Sequence, residues 1–371
     1  MPASRSANIV KFIATFNAAF TLTLFLGGML ATQPYDAFAK EASVLDAPVK
    51  KVADQRLAVK TPQGSGVLPV YADHSLSTAA PEVKRILIVV HGTLRNADVY
   101  FADGLRAVEE AGAAGAGSLV VAPQFLTPAD VQAFKLAPDT LAWSQEGWKG
   151  GEPALSPAPV SSFSAMDALL EHFTDRTLYP ALAEVVVSGH SAGAQIVQRY
   201  AVAGRAEAVL VKAGIKVRYV VANPSTYLYF DNHRPDADGH FQAAVTASCP
   251  HVNRWKYGME QLPAYVSEQD LGSIEARYAA RKVTYLLGMA DTNPYTHFID
   301  RSCPAMAQGP YRLARGLAYF NYMQGRHTAG LNQSVVEVPG IGHDGRGMYG
   351  SACGQAVLFG QQLPAACPQL P

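Results

Sequence analysis

Charge is scarce in this 371-residue chain: Asp, Glu, Lys and Arg make up 16% of it, against roughly 25% in an average soluble domain. The 30 basic and 30 acidic residues cancel, so the chain lacks the basic excess of a nucleic-acid binder. It has no internal repeat, no heptad pattern and no low-complexity tract. Cysteine is also rare. Cys249, Cys303, Cys353 and Cys367 all lie in the C-terminal third, with no C-x-x-C pair. No Cys–His cluster has zinc-finger spacing and no H-E-x-x-H occurs, so no metal is expected. Gly112 to Gly117 (GAAGAG) imitates a dinucleotide fingerprint, but it precedes a strand where the fingerprint follows one. No organic cofactor is expected either.

Apolar residues are abundant at 49%, and 31 Gly and 24 Pro are spread along the chain with 17 Tyr. That composition suits a large buried core and not a disordered or collagen-like protein. The N-terminus reads separately. Arg5 and Lys11 precede an apolar stretch from Phe12 to Ala31, and Ala37-Phe38-Ala39 offers a small-x-small site. Residues 1–39 therefore read as an export signal, the rival being an uncleaved anchor, since about 20 apolar residues can span a bilayer. No later segment is long and apolar enough to do so. In an exported chain an even cysteine count suggests two disulfides. Pairing Cys249 with Cys303 and Cys353 with Cys367 closes the shortest loops, although sequence does not fix connectivity.

Across residues 40–371 short apolar runs alternate with helical patterns. Lys84–His91, Ser118–Pro123, Ala183–Ser188, Val217–Ala222, Lys282–Leu287 and Ser334–Val338 read as strands. Ser161–Phe173 and Gly309–Met323 carry helical spacing. The alternation predicts an α/β fold, a mostly parallel central sheet with helices on both faces. Runs near Leu57 and Val67 fit antiparallel edge strands. Residues 227–281 break the rhythm and read as an inserted cap.

One motif stands out. Gly189-His190-Ser191-Ala192-Gly193 is a G-x-S-x-G turn between the Val185-Val186-Val187 strand and a predicted helix, the context in which a serine becomes a nucleophile. Such a serine needs a base, and the base a carboxylate to fix its tautomer. Asp291 and His343 each follow a later strand, in the order Ser, acid, His. Asp231 and Asp236 are weaker rivals for the acid. His190 reads as a packing residue and His172 lies on a helix expected to face away from the site, while His233, His240, His251 and His297 could line a pocket. Backbone N–H groups of Ala192 and Thr93 are the candidate oxyanion donors. Trp143 and Trp148, in a glycine-rich loop, could form an aromatic rim for substrate or merely pin the loop. Trp255, in the insertion, is a candidate specificity element.

From Leu57 to Gly360, on the strength of His91-Gly92, the Gly189–Gly193 turn, Asp291 and His343, the chain resembles the α/β-hydrolase superfamily. It lies near the secreted esterase, lipase and polyester-depolymerase groups, although His91-Gly92-Thr93 departs from the H-G-G-G form of many lipases. The resemblance implies hydrolysis of a carboxylic ester through an acyl-enzyme, on a small-molecule or polymeric substrate. An amidase or peptidase, or a non-catalytic binding protein on the same fold, would carry a similar sequence.

Overall fold

The computed structural model describes residues 44–370; the reading of residues 1–39 as a leader lies outside them. Nine strands form one sheet in the order β1-β2-β4-β3-β5-β6-β9-β10-β11. Six of them, β3 (Arg85–Val90), β4 (Ser118–Pro123), β5 (Glu184–His190), β6 (Lys216–Ala222), β9 (Val283–Gly288) and β10 (Gln333–Val338), run parallel. At one edge β1 (Gln55–Thr61) and β2 (Gly64–Ala72) are antiparallel, and at the other so is the short β11 (Gln369–Leu370).

The aliphatic runs explain the parallel block. Successive side chains of a strand point to opposite faces, so Ile86, Ile88 and Val90 enter one core while Leu87 and Val89 enter the other. Both faces must then be covered. Helices Ser162–His172, Ala192–Ala203, Leu271–Ala280 and Arg312–Arg326 cover the first, through residues such as Met166, Ile196, Ile274 and Phe320. Helices Ala97–Glu110 and Ala352–Phe359 cover the second, through Ala107, Val357 and Leu358. Among the described residues no helix is long and apolar enough to cross a membrane.

The stretch 227–281 is not a uniform cap. Tyr227, Leu228 and Tyr229 are buried in the main core, and Leu271–Ala280 is a crossover helix whose Tyr278 hydroxyl lies 2.6 Å from that of Tyr285. Between them a small hairpin, β7 (His233–Pro235) with β8 (Phe241–Ala243), and the loop carrying Trp255 to Tyr257 form the excursion itself. The helix escaped the sequence reading because Gly272 and Ser273, weak helix formers, occupy its first turn.

Both cystines follow the shortest-loop pairing, with Cα separations of 5.8 Å for Cys249–Cys303 and 5.6 Å for Cys353–Cys367. The second ties the Ala352–Phe359 helix to the segment that leads into β11. It closes a loop of 14 residues, and closure of about 15 residues is worth about 3 kcal/mol. The double variant Cys353→Ala/Cys367→Ala should lose about that much unfolding free energy in non-reducing urea titrations. An unchanged midpoint would show that the packing alone holds the tail.

Candidate active site

At the end of β5 the chain reverses at Ser191, with φ 58° and ψ −120°, into the helix Ala192–Ala203. Positive φ is unfavourable for a residue with a side chain, and the surroundings enforce it. A Cβ on Gly193 would lie 2.1 Å from the Val90 carbonyl oxygen, and one on Gly189 would lie 2.3 Å from Gly193. Only glycine fits either place. Ser191 N–H donates to Ala222 O at 3.0 Å, tying the corner to β6. Ala192 opens the helix, so its N–H has no intrahelical acceptor and sits at the positive end of the dipole.

Asp291 and His343 follow β9 and β10, and the structure brings both to this corner. His343 Nε2 is 3.0 Å from Ser191 Oγ, and His343 Nδ1 is 2.8 Å from Asp291 Oδ2. A carboxylate only accepts, so the imidazole proton belongs on Nδ1 and leaves Nε2 to receive the serine hydroxyl. Asp291 is buried. Its Oδ1 has no hydrogen-bond donor among the described residues and lies 3.6 Å from Arg312 Nη1, an ion pair beyond hydrogen-bond range. The rival acids are elsewhere. Asp231 pairs with Arg326, and Asp236 accepts from the His240 N–H in the hairpin turn.

Among solved structures, poly(aspartic acid) hydrolase-1 from Sphingomonas sp. KT-1 is similar at 23% identity, covering 81% of this chain and 96% of that one with a TM-score of 0.54. LpqC, a poly(3-hydroxybutyrate) depolymerase from Bordetella parapertussis, is similar at 20% identity over 88% of this chain and 97% of that one, with a TM-score of 0.57. The chain has the α/β-hydrolase fold. No protein-family model and no curated protein matches the sequence.

In this α/β-hydrolase sheet Asn223, unforeseen from sequence, joins the strand ends around the site. Its own φ is 47°. Its Nδ2 donates to Gly342 O at 3.1 Å and its Oδ1 accepts from Gly288 N–H at 2.8 Å, so the loop before His343 and the end of β9 are held by one side chain. Asparagine tolerates the left-handed region better than most residues. Its place directly after β6 was the available signal.

Thr93, the other candidate oxyanion donor, is held from two sides. The buried His91 ring lies beside Gly92 O at 2.8 Å through Nδ1 and accepts from Phe125 N–H at 3.0 Å through Nε2. Gln145 Nε2 donates to Thr93 O at 2.8 Å. Gln145 also bonds the guanidinium of Arg95, which is buried against Asp130 at 2.8 Å.

The tryptophans need correcting. Trp143 and Trp148 are both 0% exposed, pack on Phe125, and cannot form a rim for substrate. Their loop sets Gln145 against Thr93 instead. Trp255 is half-buried: its Nε1 donates to Gly150 O at 2.7 Å and its ring meets Phe163 edge-on. Its neighbours Lys256 and Tyr257, with Thr93, Lys149, Gln195 and Asp300, line a cavity of about 560 Å³. Gln195 lies one helical turn beyond Ser191, while neither Ser191 nor His343 is among the residues that line the cavity.

Two imidazoles in this region, His91 and His190, are buried, and His343 is partly so. Burial lowers His343 below its usual 6.5, against the opposing hydrogen bond to Asp291. His190, whose ring centroid is 4.6 Å from that of His343, is pushed far lower by burial and by the charge of protonated His343. His91 falls to about 4 through burial. A histidine with a lowered folded pKa binds fewer protons folded than unfolded, so its contribution to stability is lost as pH falls below about 6.5. As pH falls from 6.5 towards 4.5 urea unfolding free energy should drop, with a limiting slope of about 1.4 kcal/mol per pH unit for each imidazole that stays neutral in the folded state. The variant His190→Phe should remove one such increment; equal slopes in variant and wild type would contradict a neutral His190.

Proposed function

We propose that the chain is an exported serine hydrolase that cleaves carboxylic esters. The observation that carries this reading is the unbroken hydrogen-bonded line from Ser191 Oγ through His343 to buried Asp291 at the strained corner. In the proposed reaction His343 Nε2 takes the Ser191 proton as Oγ attacks the ester carbonyl. The N–H groups of Ala192 and Thr93 receive the oxyanion. The tetrahedral intermediate collapses, His343 protonates the departing alcohol, and an acyl-serine remains. A water deprotonated by the same imidazole then attacks the acyl carbon and releases the acid. Asp291 accepts from the imidazole and so fixes the Nδ1–H tautomer and balances the imidazolium, with Arg312 beside it.

The loop 253–262, which brings Lys256 and Tyr257 to the cavity, serves in this reading as the part of the insertion that meets substrate. Export is supported by the two cystines, which persist in oxidising compartments, and by the leader pattern of residues 1–39.

A fluorophosphonate probe should label the wild type at Ser191 and leave a folded Ser191→Ala variant unlabelled. That variant should also lose turnover of short 4-nitrophenyl esters. Asp291→Asn should keep substrate binding and lose about 10⁴ in kcat through the wrong tautomer. Undiminished ester cleavage by Ser191→Ala would overturn the mechanism, and a larger loss in Asp231→Asn than in Asp291→Asn would overturn the choice of acid.

A further inference from the structure

Arg312, the first residue of the helix Arg312–Arg326, is buried beside Asp291. The place is unfavourable for a cation in several ways. Water does not reach it. It lies at the positive end of a helix dipole, which stabilises acids and not bases. Its hydrogen bonds go to neutral acceptors, Thr296 Oγ1 at 2.6 Å and the His297 carbonyl at 3.2 Å, and its Nε has no acceptor among the described residues. The anion it faces is Asp291, whose Oδ1 stands 3.6 Å from Nη1 and has no donor among the described residues. The start of the helix is tied to the same residue by the main chain, since Leu313 N–H donates to Asp291 O at 3.3 Å. A loosely paired buried ion adds little to stability. What it does supply is a standing positive potential at one end of the line Asp291–His343–Ser191.

From this geometry we infer that Arg312 is a positioning residue for the proton transfer: its charge opposes that of Asp291 and keeps the His343 imidazole free to take the serine proton in mildly acidic solution. The inference rests on the proposed ester hydrolysis and assigns what sets its lower pH limit. Asp291 acting alone would favour an imidazolium, because an adjacent opposite charge stabilises the protonated ring. A protonated ring cannot act as the base. A guanidinium keeps its proton in a protein, so Arg312 offsets the carboxylate at every working pH. The other neighbours do not. Burial keeps His190, Tyr100 and Tyr227 uncharged: the His190 ring centroid is 4.6 Å from that of His343, the Tyr100 hydroxyl lies 3.4 Å from His190 Nδ1, and Tyr227 faces Asp291. Arg315, one turn along the helix, donates to the carbonyls of Ser225 and Asp300. Asp344, the next residue after His343, is an acid and acts in the opposite sense. The balance at the ring agrees: burial first, and the charge of Arg312 after it, lower His343 against the hydrogen bond to Asp291 and the charges of Asp291 and Asp344.

Histidine-selective NMR titration of the full disulfide-intact protein tests this without turnover, the His343 resonance being identified by its loss in His343→Gln. The His343 midpoint should lie about one pH unit higher in Arg312→Met than in wild type, the lower end of what a nearby charge does to a titrating group. Arg312→Lys, which keeps the charge, should hold the midpoint close to wild type. With a short 4-nitrophenyl ester the acid limb of kcat/KM should move up by the same amount in Arg312→Met, about a tenfold loss well below the limb and little change on the alkaline side. A residue that only braced the loop 292–297 would lower the rate at every pH and leave both the limb and the NMR midpoint in place; that result overturns the inference. Should Arg312→Met fail to fold, because the buried Asp291 is left without its cation, the comparison moves to the Asp291→Asn background. There the double variant Arg312→Met/Asp291→Asn should titrate about one unit above Asp291→Asn alone, and equal midpoints overturn the inference. If no ester is turned over, the hydrolase reading fails, while the NMR midpoints still decide whether Arg312 holds the imidazole neutral.

Discussion

The close approach of backbone to backbone at Ser191 is the constraint on which the site depends. Gly193 sits so near the carbonyl of Val90 that the Ala192–Ala203 helix starts against the end of β3. That contact places the helix N-terminus beside the His91-Gly92-Thr93 loop. The same device recurs on the other side, where a Cβ on Gly288 would lie 2.5 Å from Ile341 O, so β9 and the loop before His343 touch main chain to main chain. A corner with no side chain between its strands has little room to relax. Its geometry is therefore set by the sheet and not by the loops that carry Thr93, Asp291 and His343.

Around the corner the polar groups are deeply buried, and most find partners far away in sequence. Arg95 with Asp130, Arg312 with Asp291, and Arg199 among carbonyl and amide oxygens are each removed from water. Such groups are expensive to desolvate and add little net stability. In this protein they fix loops: Arg95 and Gln145 hold Thr93, Arg199 ties the Lys149 segment to the Lys256 segment, and Arg315 donates to the carbonyls of Ser225 and Asp300. The inserted loop thereby becomes an extension of the Ala192–Ala203 helix.

Much of the fold was legible because its strands are buried on both faces and so read as uninterrupted aliphatic runs. Ser191, Asp291 and His343 could be singled out because each follows such a run. The supporting residues left no local trace. Gln145 acts on Thr93 from 52 positions away and Asn223 on Gly342 from 119, and no window of sequence contains both partners. Trp143 and Trp148 misled for a related reason: loop composition suggests exposure, while Phe125 and the Val160 carbonyl, which takes the Trp143 indole N–H at 3.1 Å, draw the rings inward. The boundaries of the insertion failed where its ends, Tyr227–Tyr229 and Leu271–Ala280, belong to the core.

The far edge of the sheet has a consequence of a different kind. β10 is the last parallel strand, and β11, only two residues long, pairs with its Val335 and Val336, while Glu337 N–H donates to Pro368 O at 2.9 Å. A bare outer strand of this sort is a template on which a second chain can add its own. Residues 368–370 occupy those hydrogen-bonding groups, and Pro368 carries no N–H to offer a further strand. Their pairing thus covers groups of β10 that would otherwise be open to edge-to-edge addition.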